Sequence, residues 1–78
     1  MVVEFRFAKG GVGALHSHPH LQSTYVQSGK FEFTIGTDRF EVSEGDSFII
    51  PRDTPHGCHA IEAGTLVDTF TPHREDFL

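Results

Sequence analysis

The chain has 78 residues, with 11 Asp and Glu against 6 Lys and Arg and a formal charge of −5. That balance excludes the basic face of a nucleic-acid binder. No apolar run approaches the roughly 20 residues that cross a bilayer, and Cys58, the single cysteine, excludes an intrachain disulfide.

A domain this short buries only about 60 to 65 % of its unfolded surface. A metal or a partner chain is therefore the expected supplement to a thin core. The segment MVVEFRFAKGG has no basic stretch leading into an apolar one, so it does not read as a secretory signal. The expectation is one domain over residues 1–78, soluble and cytoplasmic, without nucleic-acid or membrane partners.

In chain order, the first element is VVEFRFA, where Val3, Phe5 and Phe7 alternate with Glu4 and Arg6. Such period-two alternation marks a half-buried strand. GGVG at residues 10–13 lacks the strand-glycine-helix context of a phosphate loop and reads as a flexible entry to LHSHPH. A strand-like stretch follows from Leu21, with a turn expected at Ser28-Gly29-Lys30. KFEFTIG alternates again through Phe31, Phe33 and Ile35, Gly36-Thr37-Asp38 turns the chain, and RFEVS continues with Phe40 and Val42. Glu44-Gly45-Asp46 closes that hairpin. SFII is a short apolar strand ended by Pro51, which cannot donate to a ladder. GCHAI and TLVDTFT are expected as two more strands around a Glu62-Ala63-Gly64 turn, and HREDFL as at most one helical turn. Seven or eight short strands in one domain mean a small antiparallel barrel or sandwich. An unpaired edge beside VVEFRF would seek a partner strand, which predicts a homodimer.

Three of the six histidines, His16, His18 and His20, fall within five positions. In an extended segment His16 and His18 share a face, so their imidazoles can chelate one ion. Gln22 stands near the start of the next strand, where its amide oxygen can return to the same point. His56, after the proline-bounded turn, is the distant ligand candidate. Imidazoles suit Zn, Ni, Fe or Cu. Three imidazoles and an amide leave the charge of a divalent ion uncompensated, which makes it a strong Lewis acid. His20, beyond Pro19, reads as a solvent-exposed loop residue, and His59 and His73 as ordinary surface side chains. Cys58 reads as an inert, inward-facing thiol, and Glu41 and Glu44 as a solvated edge.

The spacing Gly10-x5-His16-x-His18-x3-Gln22-x6-Gly29, followed by Gly45-x5-Pro51-x-Asp53-x2-His56, resembles the two motifs of the cupin superfamily. Those motifs are G-x5-H-x-H-x3,4-E-x6-G and G-x5-P-x-G-x2-H-x3-N. Three positions depart: Gln22 stands for Glu, Asp53 for Gly and Ala60 for Asn. HSHPH, FEFTIG, GDSFIIP, PHG and DTFTPHREDFL together resemble the KdgF family of pectin degradation. These are small single-domain cupins that open the ring of 4,5-unsaturated uronates, and in them the glutamine is the usual residue.

The resemblance implies an all-β, small antiparallel cupin-type β-barrel (double-stranded β-helix or jelly roll). It implies a divalent metal (Zn, Ni, Fe or Mn) on His16, His18, Gln22 and His56. It also implies an Asp-x-Phe-x3-Arg element at Asp68, Phe70 and Arg74, with Asp68 as acid/base, Arg74 on the substrate carboxylate and Phe70 against the sugar ring. The partner implied is a small sugar-acid substrate, and the product 5-keto-4-deoxyuronate. The residues alone leave two other classes open: a different cupin metallo-enzyme, either an Fe(II) dioxygenase or a polyketide-cyclase-like protein, and a non-enzymatic barrel that binds a sugar or other small molecule.

Overall fold

Alternation sets the strands, and the computed structural model, which describes residues 1–72, follows it closely. The order is β1 (Val2–Phe7), β2 (Val12–His16), β3 (Leu21–Ile35), β4 (Asp38–Ser43), β5 (Ser47–Ile50) and β6 (His56–Thr71). All pairings are antiparallel, and no helix occurs among the described residues. The chain is thus all-β, as expected. The HREDFL segment beyond Pro72 lies outside the described residues.

β3 and β6 form the spine. The second half of β6 lies between β1 and the first half of β3, whose other neighbour is β5. The first half of β6 lies between β2 and the second half of β3, whose other neighbour is β4. Each half is therefore four strands wide, and both share the two long strands. The inner faces of the halves contribute to one core: Val26, Ile50 and Leu66 from one, Phe31, Phe33, Val42 and Ala60 from the other. Phe7 meets Phe31 edge-on at 5.4 Å, and Phe33 meets Phe48 at 4.7 Å. These offset and perpendicular arrangements are the ones aromatic quadrupoles favour. Among the described residues, β1 and β2 do not pair with β4 or β5, so the barrel's ring of hydrogen bonds is open.

Two expected turns are not turns. Ser28-Gly29-Lys30 lies inside β3 and Glu62-Ala63-Gly64 inside β6, so six strands replace the seven or eight expected. The reason is their mutual position. Ser28 pairs with Thr65 and Lys30 with Glu62, with the ladder slipping register between them. Both strands bend together at one corner instead of reversing. Gly29 has φ +84°, and a Cβ there would lie 2.5 Å from the Ala63 carbonyl oxygen. A Cβ on Gly64 would strike the Ser28 carbonyl. Gly29→Ala is expected to cost at least about 1–2 kcal/mol from the left-handed backbone alone. This corresponds to a melting temperature lower by roughly 5–15 °C in scanning calorimetry; an unchanged melting temperature would show that the corner tolerates a side chain.

The other connections follow the sequence. Gly36 and Thr37 make a two-residue hairpin between Ile35 and Asp38. Asp46 accepts the Ser43 N–H with its carboxylate at 2.8 Å. After Pro51, Asp53 adopts φ +57°. That conformation explains why the motif places glycine here and why aspartate, which tolerates the left-handed region, is an admissible replacement.

Candidate metal centre and adjoining cavity

His16 closes β2 directly opposite His56 at the start of β6, so a ladder pairing brings two distant parts of the chain to one place. His18 lies in the connection after β2. Asp53 N–H donates to the His18 carbonyl at 2.8 Å, and Arg52 Nη1 donates to Pro19 at 3.0 Å. The two motif loops therefore brace one another.

The three rings converge. Their centroids are 4.5 Å apart for His16 and His56, 4.8 Å for His18 and His56, and 5.6 Å for His16 and His18. One ligand nitrogen from each lies within 4.8 Å of the others, with His18 and His56 buried and His16 on the open side.

Hydrogen bonds orient the rings. His16 Nδ1 lies 2.7 Å from the Ala14 carbonyl and His56 Nδ1 2.9 Å from the Thr54 carbonyl. A carbonyl only accepts, so in both rings Nδ1 carries a proton, which leaves Nε2 as the lone-pair nitrogen of the neutral imidazole. These backbone partners are the tautomer-fixing groups that metal-ligating histidines require.

His18 is different. Its Nδ1 faces the His20 carbonyl at 3.1 Å, and its Nε2 faces Gln22 Oε1 at 2.9 Å. A neutral imidazole has one N–H and satisfies one of these oxygens. With Nδ1 as the donor, Nε2 and Gln22 Oε1 both present lone pairs, and together they could hold a cation. The donor set of three imidazoles and an amide oxygen thus fits a divalent ion of the transition series.

Asp68 and Phe70 sit two apart on β6 and face the same side, as alternation requires. Asp68 is only 6 % exposed and accepts a 2.6 Å hydrogen bond from the Thr24 hydroxyl. Thr24 in turn accepts from Gln22 Nε2 at 3.0 Å. Phe70 packs edge-on against His18, with centroids 5.6 Å apart. Gln22, Asp68 and Phe70 open onto a cavity of about 230 Å³, whose lining combines the polar side chains of His16, Gln22, His56 and Asp68 with the apolar ones of Phe5, Phe7, Phe33, Leu66 and Phe70. It contains enough room for a monosaccharide-sized ligand beside the imidazoles. Arg74 and His73 lie outside the described residues.

Cys58 lines the same cavity. Burial pushes its thiol above the ordinary range and the charge of Asp68 adds to this, against a lowering contribution from a hydrogen bond with the Gly13 backbone. A thiol raised in this way stays protonated and is a poor nucleophile, in line with its reading as inert. His59 is exposed and 3.9 Å from Glu32 on the outer surface. His20 departs from its expected place in solvent. It is half-buried, its ring packs against His18 at 5.3 Å and Phe70 at 6.4 Å, and its Nδ1 is buried with no hydrogen-bond partner among the described residues. Pro19 redirects the backbone, and the ring folds back over its neighbours. Thr24 was not singled out by sequence, although alternation places it on the same face as Gln22.

Residues 3–74 match the cupin domain family (Cupin_2). The chain is 40 % identical to the pectin degradation protein KdgF of Dickeya dadantii (strain 3937), over all of this chain and 73 % of that protein. Among solved structures, KdgF from Halomonas sp. superposes with a TM-score of 0.95 at 39 % identity, covering 100 % of this chain and 73 % of its own. An RmlC-like cupin from Shewanella frigidimarina superposes with a TM-score of 0.97 at 40 % identity, covering 100 % and 70 %.

Proposed function

The chain belongs to the cupin domain family, and within it we propose an enzyme that opens the ring of 4,5-unsaturated uronate monomers to 5-keto-4-deoxyuronate with the help of a divalent metal. The observation that carries this reading is a buried carboxylate, Asp68, opening into the same cavity as His16 and His56, two of the three convergent imidazoles. The full-length likeness to a pectin degradation protein supports the substrate class.

The substrate is a cyclic hemiacetal whose ring oxygen is bonded to a C4=C5 double bond conjugated with the carboxylate. Asp68 takes the proton of the anomeric hydroxyl. The C1 carbonyl then forms, the C1–O5 bond breaks, and its electron pair moves onto O5 as an enolate. The same side chain returns a proton to C4, and C5 becomes the ketone. Atoms and electrons balance without a co-reactant, so one acid/base group serves both transfers. Such a group is typically worth about 10² to 10⁴ in rate.

His16, His18, His56 and Gln22 would hold the metal, which when bound supplies Lewis acidity toward the departing ring oxygen. Phe70 presents an apolar wall for the ring face. Arg74 is assigned the substrate carboxylate, which its planar fork matches bidentately. The cavity walls of Phe5, Phe7 and Phe33 limit water around the enolate.

The test is an absorbance assay. Metal-replete protein mixed with an unsaturated uronate monomer is expected to bleach the ultraviolet band of the conjugated double bond well above the spontaneous rate. A rate equal to the spontaneous one rejects the activity and leaves a ligand-binding or different cupin function. The proposal includes the cytoplasm, where a lone Cys58 stays reduced.

We propose further that two copies associate. The outer edges of β1 and β2 pair with no described strand, and Val2 and Val12 on them are 67 % and 70 % exposed. Open apolar edges are templates for further pairing. Light scattering is expected to give twice the 8.7 kDa chain mass; a monomer at high concentration contradicts the dimer.

A further inference from the structure

We propose that Thr24 is a positioning residue that orients two working side chains at once, the Gln22 amide and the Asp68 carboxylate. The inference rests on the reading of Gln22 as a metal ligand and Asp68 as the acid/base group.

Thr24 is completely buried and sits in the first half of β3, between Asp68 on one neighbouring strand and Phe48 on the other. Val26 and Ile50, equally buried nearby, are aliphatic. Valine has nearly the shape of threonine, so packing alone does not call for a hydroxyl at this position. The hydroxyl's contacts are both short and both polar: 2.6 Å to Asp68 Oδ1 and 3.0 Å to Gln22 Nε2.

The hydrogen count determines the direction of each bond. A hydroxyl has one hydrogen and two lone pairs, and an ionised carboxylate only accepts. The hydroxyl hydrogen therefore points to Asp68. Its lone pairs then face Gln22, which must present its NH₂ end. Two ends of an amide that are otherwise interchangeable in shape become distinct, and Oε1 is turned toward His18 Nε2, 2.9 Å away. Reversed, the amide would aim N–H groups at the imidazole lone pairs and offer no oxygen to a cation.

Thr24→Val and Thr24→Ser separate hydroxyl from packing. Thr24→Val is expected to keep the wild-type circular dichroism and to bind Co(II) about 10- to 100-fold more weakly in competition with a chromophoric chelator. Its cobalt visible spectrum should differ from wild type, because the fourth ligand is no longer held. Thr24→Ser is expected to restore both affinity and spectrum. Should the valine variant fail to fold, Thr24→Ala, which removes the same hydroxyl without an added branch, gives the same comparison. Wild-type affinity and spectrum in a folded variant without the hydroxyl overturn the inference while leaving the metal centre intact. If the wild-type protein binds no Co(II), or Gln22→Ala leaves its spectrum unchanged, the reading of Gln22 fails first and takes this inference with it.

Discussion

Asp68→Asn is expected to lower kcat on an unsaturated uronate monomer by about 10²- to 10⁴-fold, the range of a lost acid/base group, while metal affinity stays close to wild type. The separation follows from the geometry. Asparagine keeps the volume of aspartate in a site that is 6 % exposed, and its carbonyl oxygen can still accept the Thr24 hydroxyl now bonded to Asp68 at 2.6 Å. The Thr24–Gln22 bond and the imidazole cluster are therefore preserved. Only the ability to take a proton from the anomeric hydroxyl and return one to C4 is lost. Initial rates of ultraviolet bleaching give kcat, and chelator competition gives the affinity. A variant with wild-type turnover would remove Asp68 from the chemistry and leave it as a buried structural carboxylate.

Removal of the metal acts on both activity and stability. Exhaustive chelation is expected to reduce bleaching to the spontaneous rate, with recovery when a suitable divalent ion is returned. An ion that binds the folded chain and not the unfolded one adds about 4 kcal/mol at a free concentration 1,000 times its dissociation constant. For a domain of this size the melting temperature should then rise by roughly 15–30 °C on saturation. His18→Ala should abolish most of that rise, because it removes the ring that faces Gln22 Oε1, His56 and Phe70 together. Calorimetry with and without metal measures the difference. Equal melting temperatures for chelated and metal-treated wild type would contradict the site.

Much of this was legible in the residues. Period-two alternation located Phe5, Phe31, Phe33 and Val42 on the inner face, and all four are partly or fully buried. The motif spacing located His16, His18 and His56 at one point because a ladder pairing and two braced loops carry it. The glycines were ambiguous. Gly36 and Gly45 mark reversals, whereas Gly29 and Gly64 mark a corner between two paired strands, and local sequence looks the same in both cases. Only the opposition of the two segments across the ladder decides between them. His20 was misjudged for a related reason: ring packing against His18 and Phe70 depends on a tertiary contact that spacing does not encode. Thr24 was overlooked because a buried threonine in a strand resembles a β-branched core residue until its hydroxyl partners are seen.

Anomalous diffraction from a crystal grown with zinc or nickel tests the metal centre most directly. The expected result is one strong peak per chain within about 2.0–2.2 Å of Nε2 of His16, His18 and His56, with Gln22 Oε1 turned toward it. A peak elsewhere, or rings that stay unliganded at saturating metal, would contradict the assignment of these side chains and the chemistry built on them.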